Sequence, residues 1–324
     1  MRIRNIKFNG FIISLFVAML LAYLFPQGAE ALALDEVTDI GISLIFFFYG
    51  LKLSLESFKS GLSNYRLHLL VQFSTFVLFP LLVLPFKPLM QQESTYLLWT
   101  GMFFLAVLPS TVSSSVIMVS IARGNVAGAI FNASISGLIG VLATPLWLGL
   151  VVNEMQSISF WEVFSKLMLQ IVLPLALGVL LHARFGHIAT RYSKFTGLFD
   201  KTMIALIVYS SFSASFLAHL FSGLTWTHFL TLYAAILALF FLSLWIIDMI
   251  AKGLNFSTED RVTAMFCGSK KSLVHGSVMA KVIFGNSTTA SMMILPIMLF
   301  HISQLVIIAF IAEKFSKKAL RNAH

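Results

Sequence analysis

Two apolar stretches of this 324-residue chain are interrupted by polar clusters where a membrane helix would cross the centre of a bilayer. The first reads Leu108-Pro109-Ser110-Thr111-Val112-Ser113-Ser114-Ser115. The second reads Cys267-Gly268-Ser269-Lys270-Lys271-Ser272, with Gly276 close behind. In hydrocarbon every backbone N–H and C=O needs a partner. Broken backbone and charge therefore persist at that depth only where protein or a water-filled cavity satisfies them. Interrupted helices at matching positions of two halves are the sequence mark of a secondary transporter's binding site.

The rest of the chain agrees with a membrane setting. Its residues are 58% hydrophobic and 11% charged, with a mean hydropathy of +0.91, against about 25% charged in soluble domains. At about 20 residues per span, the length holds roughly ten spans joined by short loops. The apolar runs fall at 10–26, 38–55, 67–86, 96–121, 125–152, 162–182, 202–221, 228–251, 261–284 and 289–312. Turn residues such as Pro26-Gln27-Gly28 and Arg123-Gly124-Asn125 bound them. We read the first run as a span and not as a cleaved leader, because Gly10 and Pro26 bound it as a helix.

The net charge of +9 reports topology and not nucleic-acid binding. All but five of the 22 Lys and Arg fall in loops that share one side if both termini are cytoplasmic. These loops are Arg2 to Lys7, Lys52 to Arg66, Arg123, Arg184 to Lys201, Lys252 to Arg261 and Lys314 to Arg321. Lys87 and Lys166 lie on the other side, and Lys270, Lys271 and Lys281 lie within the ninth run. This positive-inside asymmetry predicts a multi-pass protein of the plasma (cell inner) membrane. The single cysteine, Cys267, excludes an internal disulfide and a cysteine-rich metal site.

Runs one to five and six to ten form two halves, about 1–155 and 156–324. Each half carries its interruption in the fourth run, and Ser114 and Ser272 are 158 residues apart. Five spans is an odd number, so the second copy is inverted. The predicted fold is all-α and polytopic: one domain of about ten helices in two inverted repeats, with the fourth and ninth broken and crossing.

None of the 13 acidic residues falls in the middle of a run, which argues against a buried-carboxylate proton relay. Lys270 and Lys271 do fall there. Each costs roughly 2.5–3.5 kcal/mol at a helix centre, so a bound anion is their natural partner. Adjacent helical residues point about 100° apart, so one of the two is expected to reach the site. Lys281, nearer the outer end, is expected to snorkel to the surface. Ser110, Thr111, Ser113, Ser114 and Ser115 surround carbonyls freed by Pro109. They can hydrogen-bond a substrate or ligate an alkali cation. Asn132 and Gln72 are amides at membrane depth, and His275, His301 and Gln304 are further polar groups there. No phosphate-binding Gly-Lys-Ser/Thr loop, His-Glu-x-x-His or Gly-x-Ser-x-Gly motif occurs, so nothing points to an ATP-driven pump or a hydrolase.

These residues resemble the bile acid:sodium symporter family over most of the chain. Phe48-Tyr49-Gly50-Leu51-Lys52-Leu53, running to Phe58, is similar to its second-helix pattern, and Gln72-Phe73 with Pro80 to its third. Pro109 to Ser115 resembles its Pro-Gly-Gly-Thr-Ala-Ser-Asn crossing segment. Arg123-Gly124-Asn125-Val126-Ala127 resembles its Lys-Gly-Asp-Val-Ala turn, and Gly268-Ser269-Lys270-Lys271-Ser272 its Gly-Met-Gln-Asn-Ser segment. The resemblance implies a panel and a core domain, and sodium-driven uptake of organic anions such as bile acids.

Three departures stand out: Ser115 for the family's Asn, Phe266 for its sodium-bridging Glu, and Lys270-Lys271 for its Gln-Asn. They place the chain nearer a divergent branch tied to calcium homeostasis. The expected activity is alternating-access transport of a bile-acid-like or other amphipathic acid, with sodium coupling in question and no organic cofactor. The alternative is a membrane regulator of ion homeostasis that does not transport. The expected substrate contacts are Ser113, Ser114, Ser115, Asn132, Lys270, Lys271, Ser272 and His275. Gln72, Ser114, Ser115 and Ser269 are the expected ligands for a sodium ion.

Overall fold

Repeated apolar runs with short polar turns give helices and nothing else among the described residues. The computed structural model describes residues 10–52, 64–89, 92–111, 113–152, 160–217, 219, 225–285 and 288–321. We number the helices by run. Helix α1 is Gly10–Leu24 and α2 is Leu34–Lys52. Helix α3 is Tyr65–Leu89, with a π-helical turn at Ser74–Leu78. The fourth run is split into α4a, Glu93–Val107, and α4b, Ser113–Ile121. Helix α5 is Val126–Val151. Helix α6 runs from Phe160–Leu167 through a π turn at Met168–Val172 to Leu173–Arg191. Helix α7 is Ser193–Leu217 and α8 is Trp226–Gly253. The ninth run is split into α9a, Thr258–Gly268, and α9b, Leu273–Phe284, and α10 is Thr288–Arg321. Arg2, Arg4, Lys7, Phe58 and Lys59 lie outside the described residues.

Tyr65–Leu89, Val126–Val151, Phe164–Arg191, Trp226–Gly253 and Thr289–Lys317 are each long and apolar enough to cross a bilayer. The broken runs are different. The 11 residues of α9a and 12 of α9b rise only about 17 and 18 Å, against roughly 30 Å of hydrocarbon. Neither half alone spans that thickness. Helix α6 continues well past the apolar run at 162–182, because the basic stretch to Arg191 remains helical beyond the apolar part.

The helices pack as two sets. In the first, α2 lies along α6, and α7 lies along α1 and α2. Helices α2 and α6 touch backbone to backbone: a methyl group on Gly50 would collide with the Leu175 carbonyl, and one on Gly178 with the Phe47 carbonyl. Small residues allow this approach where dispersion, and not water exclusion, drives association. The second set holds α3, α4, α5, α8, α9 and α10. Here α10 packs on α4a, α4b and α9b, and α9a packs between α3, α5 and α8.

One end of the second set is tied by a single carboxylate. Asp260, in the first turn of α9a, accepts from Asn64 Nδ2 at 2.6 Å and Asn125 Nδ2 at 2.8 Å. Asn64 and Asn125 cap the N-termini of α3 and α5. Three helix starts are thereby fixed to one another, which ties α9a to α3 and α5.

Candidate functional site

The two breaks meet. The Ser272 N–H donates to the Pro109 carbonyl at 2.9 Å, and the Ser110 hydroxyl donates to the Cys267 carbonyl at 2.6 Å. The Ser110 N–H in turn donates to Ser136 Oγ of α5 at 2.9 Å. Each interruption therefore satisfies backbone groups that the other leaves open, as a broken helix in hydrocarbon requires.

The adjacent lysines have different surroundings, and both are fully buried. Lys271 Nζ donates to the Thr75, Ala106 and Leu108 carbonyls at 2.7, 2.6 and 2.9 Å and lies 4.3 Å from the centre of the Phe79 ring. The local sequence explains these acceptors. Proline at position 80 has no N–H, and in the π turn before it the Phe79 N–H goes to the Ser74 carbonyl, so the Thr75 carbonyl has no helical donor. The Phe76 carbonyl takes Trp147 Nε1–H at 2.8 Å, and the Thr75 carbonyl takes Lys271. Ala106 and Leu108 flank the C-terminus of α4a, where carbonyls are orphaned and the helix dipole is negative. Three oxygens and a ring face thus surround one ammonium, much as oxygens surround a small cation.

Lys270 Nζ has one hydrogen bond among the described residues, to the Ser114 carbonyl at 2.8 Å. None of the ion pairs among the described residues involves Lys270 or Lys271.

Gln304 of α10 fixes the backbone between them. Its Oε1 accepts the Lys271 N–H at 3.0 Å, and its Nε2 donates to the Lys271 carbonyl at 2.9 Å. The amide therefore pairs with the broken segment as a neighbouring strand would. His301 Nδ1 lies 2.9 Å from the same Nε2.

The structure gathers Ser114, Ser115, Lys270, Lys271, Ser272 and His275 around the two breaks. Thr111 Oγ1 lies 2.8 Å from Ser114 Oγ and 2.9 Å from Ser115 Oγ. Ser272 caps α9b: its Oγ accepts the His275 N–H at 3.2 Å and lies 3.0 Å from His275 Nδ1. The His275 ring reaches the first set of helices, edge-on to Phe46 and stacked on Tyr49 of α2. The side chain of Ser113 lies outside the described residues.

Asn132 and Gln72 form a separate cluster. Gln72 Nε2 donates to Asn132 Oδ1 at 3.1 Å, and Asn132 Nδ2 lies 2.9 Å from His68 Nδ1. The Ser269 hydroxyl donates back to the Met265 carbonyl of its own helix at 2.6 Å. Gln72, Ser114, Ser115 and Ser269 thus occupy three separate hydrogen-bonded groups. The residues that sequence reasoning undervalued are Thr75 and Gln304. Pro80 was the available signal for the first, since it frees the carbonyl that Lys271 uses.

A helical bundle whose two broken helices meet at a buried pair of lysines has the arrangement of a membrane secondary transporter. The chain matches the SBF-like CPA transporter family over residues 9–317, and it belongs to that family. The bile acid:sodium symporter motifs in the sequence lead to the same place. An uncharacterised protein of Pseudomonas aeruginosa is 39% identical over 312 residues, covering 96% of this chain and 93% of its own. YfeH of Escherichia coli K12, provisionally named a symporter, is 36% identical over 311 residues, with 96% and 93% covered. Sodium/bile acid cotransporter 7 of Danio rerio is 31% identical over 318 residues, with 94% and 93% covered.

Proposed function

We propose that this protein carries a small amphipathic organic anion across the membrane by alternating access, with Lys270 as the charge that holds the anion. Ten spans in two inverted repeats, with both termini cytoplasmic, are the arrangement in which it does so. The observation that carries the reading is the division of labour between the lysines. Among the described residues, the ammonium of Lys271 is occupied by three carbonyls, whereas that of Lys270 has one. A buried ammonium with no carboxylate partner is costly unless an anion completes its shell. The N-termini of α4b and α9b also end at the breaks, and their dipoles favour negative charge there. Ser114, Ser115 and Ser272 supply hydroxyls beside it. A bile-acid-like carboxylate or sulfonate fits this chemistry and the names of the cotransporter relatives.

Sodium is the point of divergence. Phe266 stands where the family pattern has an acidic sodium ligand, and the Lys271 ammonium provides a covalently tethered positive charge. In this reading the core is stabilised by its own lysine, and transport runs without a sodium gradient.

The test is uptake of taurocholate and a panel of amphipathic sulfonates and carboxylates into proteoliposomes. Lys270→Gln is expected to lower uptake at least tenfold, the factor for losing about 1.4 kcal/mol of binding. Uptake unchanged by Lys270→Gln contradicts the role of that lysine. If no anion is taken up, and none protects Ser114→Cys from labelling, the regulator reading gains instead.

A further inference from the structure

The two helix sets are held differently within and between themselves. Within the first set, α2 and α6 meet through Gly50 and Gly178 with no side chain between them. Within the second, the Gly140 Cα faces the Pro109 ring, and Gly276 faces the side-chain ends of Leu108 and Ile297, again at short distances. Such close packing does not slide easily. Between the sets the polar contacts are made by side chains and concentrate at one end, where α2 and α10 begin and α7 and α9b finish.

The main contact there is Lys281 of α9b. Its side chain is 5% exposed, and its ammonium is surrounded by oxygens from the start of α2. It donates to the Asp35 carbonyl at 3.1 Å and to the Thr38 hydroxyl, and it lies 3.4 Å from Asp35 Oδ1 and 3.5 Å from Asp39 Oδ1. Ser210 of α7 donates to the same Asp35 oxygen at 3.0 Å. Nearby in the same direction, Ser215 of α7 and Ser291 of α10 lie Oγ to Oγ at 2.5 Å. The expectation that Lys281 snorkels to the surface is therefore corrected: it turns inward onto two carboxylates of the other set.

Beneath this clamp is a hydroxyl without a partner among the described residues. Ser277 lies one turn before Lys281 on the same face of α9b. Its hydroxyl is buried and has no hydrogen-bond partner among the described residues. Helix α7 packs on α9b. A native interior seldom leaves a buried hydroxyl unmatched, and one below the clamp is accounted for by a surface that is wetted in another conformation.

We propose that the seam between α7 and α9b is the outer half of the transport path, and that Lys281 with Asp35, Thr38 and Asp39 is the gate closing it. In the state described here the gate is shut. Opening it separates α9b from α2 and lets water or the passing anion reach Ser277. The released Lys281 ammonium then presents positive charge at the entrance to an anion. This inference rests on the transporter reading above.

The experiment places a reporter cysteine at position 277 (Ser277→Cys) in a Cys267→Ala background. Its labelling by a membrane-impermeant maleimide is measured from the outer side of intact cells. Lys281→Gln is expected to raise the rate about tenfold, which corresponds to removing about 1.4 kcal/mol of closure. Asp35→Asn with Asp39→Asn gives the same rise by the opposite change and covers the case in which Lys281→Gln fails to fold. The charge-reversed pair Lys281→Asp with Asp39→Lys is expected to restore slow labelling. Ser114→Cys, labelled from the inner side, serves as a second reporter. If it reacts while Ser277→Cys stays silent in every gate variant, the gate is refuted and the transporter reading stands. If neither position reacts from either side in any variant, both are refuted.

Discussion

Replacing Lys271 with methionine tests the role of the ammonium as a built-in cation. Methionine is close in length and apolar, and its sulfur suits the Phe79 face, so the volume is nearly kept and the change isolates the charge. The Thr75, Ala106 and Leu108 carbonyls then lose their donor inside a fully buried site. Each unpaired buried carbonyl costs about 1–3 kcal/mol. The ammonium's own desolvation penalty disappears, which offsets part of this. Exchanging a whole ion pair for apolar groups is often neutral, but here the acceptors remain, and removing one side of a buried interaction costs about 3–5 kcal/mol. A loss of that size lowers Tm in detergent on the order of 5–10 °C. Lys271→Ala goes further, because it leaves space beside the same oxygens. Sodium is expected to stabilise that variant relative to potassium at matched ionic strength, by occupying the vacated position in the folded state. A Lys271→Met protein that melts with the wild type would refute the account of this residue.

Other substitutions test the frame around the site. Gln304→Leu removes both hydrogen bonds to the Lys271 backbone and is expected to cost about 2–4 kcal/mol, read as a fall in Tm. Lys271→Met and Gln304→Leu share a partner, so their combined loss should fall short of the sum. Asp260→Ala leaves the Asn64 and Asn125 amides without their shared acceptor; it should cost about 1–3 kcal/mol and raise hydrogen exchange at the starts of α3 and α5. Gly50→Val forces α2 away from α6 and is expected to cost about 3 kcal/mol or more, seen as lost monodisperse protein on size exclusion, while Gly149→Ala, which meets nothing within 4 Å, should be silent.

Both interruptions were readable in the sequence because their causes are local. Pro109 cannot continue a helix, the run of hydroxyls competes for backbone, and two lysines in an apolar run need a reason to be there. The segment order was readable for the same kind of cause, since turns and charges punctuate the runs. What could not be read was the partner of each charge. The use of Lys271 depends on a proline 191 positions earlier that frees one carbonyl, and on a helix end elsewhere that frees two more. Gln304 looks like any amide in an apolar helix until the broken backbone of α9 is laid against it. Lys281 looked like a snorkelling residue because its carboxylates, Asp35 and Asp39, sit in what reads as an ordinary outer turn. In each case the signal is a contact between distant segments, and one sequence records none of those directly.

The most direct test of the central claim is uptake of a transported organic anion by wild-type proteoliposomes, with external sodium replaced by N-methylglucamine at constant ionic strength. With Lys271 serving as the resident cation, the initial rate should be the same in both buffers, and Lys270→Gln should abolish it in both. A rate that rises with sodium and vanishes without it would contradict the account, because a sodium ion would then be doing what we assign to Lys271.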